Sequence, residues 1–142
     1  MIYDGEWKFG MKHGEGKYFY DSLDHYYDGS WVNNQRGGNK GKYVSPFVTY
    51  EGRWKNGMAN GDGTLTLKNN TVFRGVFVDN EFVRGVVTYP NGDGYHGEIK
   101  KGLRNDHEGR YIYRTKGREE IKYVGGWKDD KKDDEEGKGK NV

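Results

Sequence analysis

The chain has 142 residues, of which 24 are Gly, 12 Tyr, 6 Phe and 4 Trp, with 2 Pro and no Cys. Its 24 basic and 22 acidic residues leave a net charge of +2, without the basic excess of a nucleic-acid binder. The lack of Cys excludes disulfides and thiolate chemistry and fits a reducing compartment. Aliphatics are too few to build a core, so rings must supply it, each burying roughly 150–250 Å². A mean hydropathy of −1.16 points to a thin fold with much exposed surface. The opening Met-Ile-Tyr-Asp-Gly-Glu-Trp has no signal-peptide apolar stretch, and no window approaches the ~18 apolar residues of a membrane span.

An aromatic, any residue, Gly, any residue, then a bulky apolar residue recurs six times in chain order. The copies start at Tyr3, Tyr27, Tyr50, Phe73, Tyr95 and Tyr123. Their third residue is always glycine: Gly5, Gly29, Gly52, Gly75, Gly97 and Gly125. The fifth is Trp7, Trp31, Trp54, Phe77, Ile99 and Trp127, which accounts for every tryptophan. The eighth is Gly10, Asn34, Gly57, Asn80, Gly102 and Asp130. All three types tolerate positive φ, so a tight turn follows each bulky residue.

Residues i, i+2 and i+4 of a strand share a face. Tyr50, Gly52 and Trp54 therefore lie together, with Glu51, Arg53 and Lys55 opposite. Beyond the turn, Gly61, Gly63, Leu65 and Leu67 alternate in the same way. Each copy reads as a β-hairpin, apolar on one face and charged on the other. One hairpin is marginal in water, so consecutive hairpins must stack into a meander. In the second, fourth and fifth copies the apolar parity of the return strand shifts, to Tyr43, Val87 and Tyr111. We expect one extra loop residue there, because a one-residue slip would turn every ring outward. Arg114–Glu120 reads as a longer charged connection, and Asn69-Asn70-Thr71 as a turn.

Residues 1–127 thus form the repeat sheet. Residues 128–142, which begin Lys128-Asp-Asp-Lys-Lys-Asp-Asp-Glu-Glu136, read as a charged, solvated tail after a last copy reduced to a single edge strand.

The pattern Tyr-x-Gly-x-Trp-x-x-Gly-x-x-x-Gly-x-Gly, at a period near 23, resembles the MORN repeat. Tyr3 to Gly16 and Tyr50 to Gly63 match at every fixed position; the other copies match its first half. The resemblance implies an all-β, elongated, twisted single-layer antiparallel sheet of about six stacked hairpins. It also implies an adaptor role in cytoskeletal, ciliary or membrane-junction assemblies, hence a cytoplasmic, cytoskeleton- or cilium-associated protein.

No catalytic constellation emerges, and the chain reads as a non-enzyme without metal or cofactor. His13, His25, His96 and His107 lack metal-site spacing and read as solvated surface residues. Gly92-Asp-Gly94-Tyr-His-Gly97 fits a dinucleotide string but opens no helix. A one-layer sheet should leave its rings uncovered, and large exposed apolar patches mark partner sites. The expected partner surface is Tyr3, Trp7, Tyr27, Trp31, Tyr50, Trp54, Phe73 and Phe77. It would receive a protein helix or extended peptide, with edge-strand pairing as another mode. The opposite face, with Lys8, Arg53, Lys55 and Arg74, suggests anionic lipid as an alternative, which Asp4, Glu6 and Glu51 weaken.

Overall fold

The computed structural model describes residues 2–115, 118–132 and 140–141. Its strands are β1 Ile2–Lys8, β2 Met11–Ser22, β3 His25–Val32, β4 Gln35–Val44, β5 Val48–Lys55, β6 Met58–Leu67 and β7 Val72–Val78. They continue with β8 Glu81–Thr88, β9 Gly94–Lys100, β10 Leu103–Arg104, β11 Asp106–Thr115, β12 Arg118–Lys128, β13 Lys131–Lys132 and β14 Lys140–Asn141. They form one open antiparallel sheet in sequence order, with β10 pairing β9 and β14 pairing β12 as side branches.

All six copies turn through two residues with positive φ, such as Asn33–Asn34 (49° and 70°), Asp79–Asn80 (47° and 71°) and Asp129–Asp130 (48° and 70°). Positive φ at both central residues is the type I′ geometry, whose twist matches the flanking strands. The expected longer loops in the second, fourth and fifth copies are therefore absent. The parity difference sits in a bulge just past the turn. Glu6 faces residues 13–15 in the first copy, Ser30 faces 37–40 in the second, and Arg53 faces 60–62 in the third. In the fourth, only Val83 is inserted, between Phe82 and Arg84. In the fifth, Gly97 and Glu98 face residues 105–109. The turn stays at two residues because twist fixes it, and the bulge restores each return-strand ring to the correct face.

Two further expectations change. Arg114 and Thr115 pair with Glu119 and Arg118, so the longer step from Tyr95 to Tyr123 lengthens β11 and β12 rather than a loop. The last copy is a hairpin, because Lys131 and Lys132 pair with Lys128 and Trp127. Lys140 and Asn141 also pair with Val124 and Tyr123. Residues 133–139 of the acidic run lie outside the described residues. Asn69–Thr71 is the turn expected, with the Asn69 side chain accepting from Thr71 N–H at 2.9 Å.

Three register rows organise the sheet. In the first, Tyr3, Tyr18, Tyr27, Tyr43, Tyr50, Leu65, Phe73, Val87, Tyr95, Tyr111 and Tyr123 stand opposite one another, strand after strand. In the second, on the other face, Asp4, Lys17, Asp28, Lys42 and Glu51 alternate in sign. The third is a row of glycines running unbroken from Gly5 through Gly16, Gly29, Gly41, Gly52, Gly63, Gly75 and Gly85 to Gly97.

The glycine row lets the rings lie flat. Tyr27 bends along its strand and donates its phenol to the Ser30 carbonyl at 2.9 Å, crossing Gly29 and Gly41. Tyr3, Tyr50, Tyr95 and Tyr123 make the same bond to the carbonyl three residues on. The next copy's indole then closes over the return-strand glycine. Trp31 Nε1–H donates to Gly16 O, Trp54 to Gly41 O and Trp127 to Gly109 O, at 3.0, 3.0 and 3.2 Å. A methyl group on Gly41 would strike the Tyr27 phenol and, at 2.8 Å, the Trp54 ring.

We therefore expect Gly41→Ala to cost about 2–3 kcal/mol through overpacking. Gly57 faces open space with φ at 78°, where Asn and Asp serve in other copies. Gly57→Asn should change stability by under about 0.5 kcal/mol. Urea denaturation of the two variants beside the parent checks both.

Candidate functional site

From Trp7 to Phe77 the rings form a continuous edge-to-face zigzag. Tyr27 meets Trp31 of its own copy at 5.1 Å and Trp54 of the next at 5.1 Å. Tyr50 does the same with Trp54 and Phe77, at 5.1 and 5.0 Å. Tyr3 meets Trp7 and Trp31 at 4.9 and 5.6 Å. Each such pair contributes about 0.5–1.5 kcal/mol beyond burial.

This packing changes the expected partner surface. Tyr27, Trp31, Tyr50, Trp54 and Phe77 are buried at 0–6% exposure and form the core. Tyr3 and Phe73 are partly covered, and Trp7, on the first strand of the sheet, is 59% exposed. Rings expected to stand free lie down and cover one another, because the glycines beneath them have no side chain. The accessible part of the ring face is made by side chains of the return segments, the half-buried Tyr18, Tyr20, Tyr43, Leu65, Tyr89 and Tyr111.

Two adjoining clefts of about 280 Å³ each open on this face. Tyr43, Val48 and Leu65 wall one; Lys12, Tyr18 and Tyr20 wall the other. Arg36 lines both. His25 fixes the Tyr43 wall, with Nε2 at 2.7 Å from the Tyr43 hydroxyl and Nδ1 at 2.8 Å from Asp21. That bond holds the Asp21 carboxyl below its ordinary pKa.

The histidines are not the uniform surface set expected. His25 is half-buried in this chain of bonds. His13 is half-buried in the first bulge, its Nδ1 without a hydrogen-bond partner. His96 is exposed on the charged face, and the His107 side chain lies outside the described residues.

Sequence reasoning missed the residue two places after the turn, the tenth of each copy. Lys12 Nζ lies 5.4 Å from the Trp31 ring centre, Arg36 Cζ 4.7 Å from Trp54, and Arg104 Cζ 4.5 Å from Trp127. Each cation covers the indole of the following copy. Where that position is Phe77 or Ile99, the tenth residue is Ala59 or Phe82, and both are buried. A basic tenth residue thus accompanies tryptophan in the next copy, a signal present in the sequence. Such contacts are worth about 0.5–2 kcal/mol.

The eighth residue has a second role beyond the turn. The Asn34 side chain accepts from Lys12 N–H at 2.8 Å while the Asn34 backbone N–H donates to Lys12 O. Asn80 repeats this on Ala59 and Asp130 on Arg104. Asp130 also takes the Arg104 guanidinium, Nε to Oδ1 at 3.0 Å. Gly57 offers only backbone: its N–H donates to Arg36 O, and its carbonyl accepts from Arg36 Nη2 at 2.7 Å.

On the charged face, Lys17 lies between rings, 5.0 Å from Phe19 and 4.3 Å from Tyr26. The row from Asp4 to Glu51 changes sign at every strand, which cancels the field that would attract an anionic surface.

With this geometry in place, the match to a known family is unambiguous. The MORN repeat model matches residues 3–24, 27–46, 50–72, 73–94 and 123–133, and the chain belongs to this family. The fifth copy falls outside those matches, yet Tyr95 donates to Glu98 O and lies over Gly97 and Gly109 as in the others. A comparison with curated proteins returned no significant match.

Burial pushes the Tyr50 phenol up to about 12. It does the same for Tyr111, also to about 12, with help from the Asp93 hydrogen bond. Tyr27 and Tyr95 rise further, again chiefly by burial. An unfolded tyrosine ionises near pH 10. Between about pH 10 and 12 the folded state therefore binds more protons, so this stability is complete below pH 10 and lost as pH rises. The urea midpoint should fall steeply above about pH 10. Tyr50→Phe should cost about 1 kcal/mol at neutral pH and lessen the alkaline loss.

Proposed function

We propose that the chain is a non-enzymatic adaptor whose ring-face groove docks a helix or extended segment of another protein, as a structural subunit of a cytoskeletal or ciliary-type assembly in the cytoplasm. One observation carries the reading. The inner rings are sealed against each other, while Tyr18, Tyr20, Tyr43 and Leu65 stay half-exposed around two adjoining clefts. Apolar walls with a few placed polar groups are what a docked segment needs. Membership of the MORN family supports the adaptor role. An anionic membrane surface is the weaker reading, because the row from Asp4 to Glu51 on the opposite face alternates in sign strand by strand.

Core rings make poor probes, since removing Trp31 or Trp54 would unfold the sheet before it reported on a partner. The better variant is Tyr20→Ala with Tyr43→Ala, both half-buried walls. We expect this double variant to keep its β-sheet circular dichroism and to lose the proteins that the parent captures from native extract. Unchanged capture by a folded double variant would rule out the groove. Phosphatidylserine vesicles should not sediment with the parent at low salt.

A further inference from the structure

Lys12 and Arg36 are cations placed among rings with no anion to meet them. Both are half-buried. Neither takes part in the side-chain ion pairs His25–Asp21 and Arg104–Asp130, and no carboxylate lines either cleft. Arg36 donates to the Tyr20 hydroxyl at 3.3 Å and the Gly57 carbonyl at 2.7 Å. A guanidinium has five N–H donors in a planar fork, which leaves capacity for a carboxylate. The same position in the fifth copy shows what completes it: Arg104 stacks on Trp127 and takes the Asp130 carboxylate. At the second copy Gly57 stands where Asp130 stands, so the carboxylate is missing.

We propose that the occupant of the groove is an acidic segment of another protein, which brings one carboxylate to Arg36 and a second to Lys12; this rests on the groove being the docking surface. Charge selects it: both cations line the clefts, and the equivalent Arg104 is completed by a carboxylate. A carboxylate arriving here enters a partly desolvated site, where charge-assisted bonds are about twice as strong as neutral ones.

The probe is a synthetic leucine-rich peptide of about 20 residues carrying glutamates along its length, and its glutamine counterpart. The readout is affinity together with the indole Nε1–H resonances of Trp31 and Trp54, with Trp127 as internal control. The glutamate form should shift Trp31 and Trp54, leave Trp127 in place, and bind about tenfold tighter than the glutamine form. That gap should largely vanish in Arg36→Gln. It should vanish also in Gly57→Asp, which supplies the carboxylate internally in a backbone conformation Asp130 already adopts, and so tests the idea without loss of packing.

If both peptide forms shift Trp31 and Trp54 with equal affinity, or if the gap survives in both variants, the acidic occupant is overturned while the groove stands. If neither form moves those indoles, the groove reading falls and takes this inference with it. Displacement of the glutamate peptide by phosphatidylserine vesicles that shift the same indoles would instead make a lipid surface the occupant.

Discussion

A row of glycines crossing nine strands in unbroken register is the constraint on which the sheet depends. Glycine ordinarily weakens a strand, because it offers nothing to pack and loses the most freedom on folding. Here its missing side chain is the space into which a tyrosine and the next copy's tryptophan fold down. The phenol and indole bonds to backbone carbonyls hold both rings there. A one-layer sheet thereby builds a core on a single face without a second layer above it.

The fourth copy shows which part of this device is separable. Phe73 has no hydroxyl to anchor it, and the atoms nearest Gly75 and Gly85 are backbone rather than rings. Phe73 packs instead on Phe82 at 5.3 Å, and Phe82 in turn on Phe77 at 5.2 Å. The tenth residue is accordingly apolar, and the bulge shrinks to one residue. Anchor, bulge length and tenth residue change together because all three fill the same volume beside the glycine row.

Neighbouring hairpins are held by three kinds of contact: the tryptophan over the preceding glycine, the tenth-residue cation over the following tryptophan, and the eighth-residue stitch between turns. Each links only adjacent copies, so stability accumulates copy by copy. The same contacts leave Arg36 without the carboxylate that Arg104 has, since Gly57 and Asp130 satisfy the turn equally well but only one carries charge. Local turn chemistry thus sets the electrostatics of the groove.

The sequence by itself determined the class, the copies and the turns. The period, the invariant third-position glycine and the positive-φ eighth residue are local facts that translate directly into hairpins. The cation-for-tryptophan pairing was legible too, but only by comparing the tenth residue of one copy with the fifth of the next. Only the tertiary structure decided where the extra residues go and which rings are free. Periodicity places Tyr27 and Trp54 on one face, but whether they stand up as a groove or lie down as a core depends on a glycine of the strand between them. Parity likewise requires an odd residue without saying whether turn or bulge takes it, and the twist of the strands settles that in favour of the bulge.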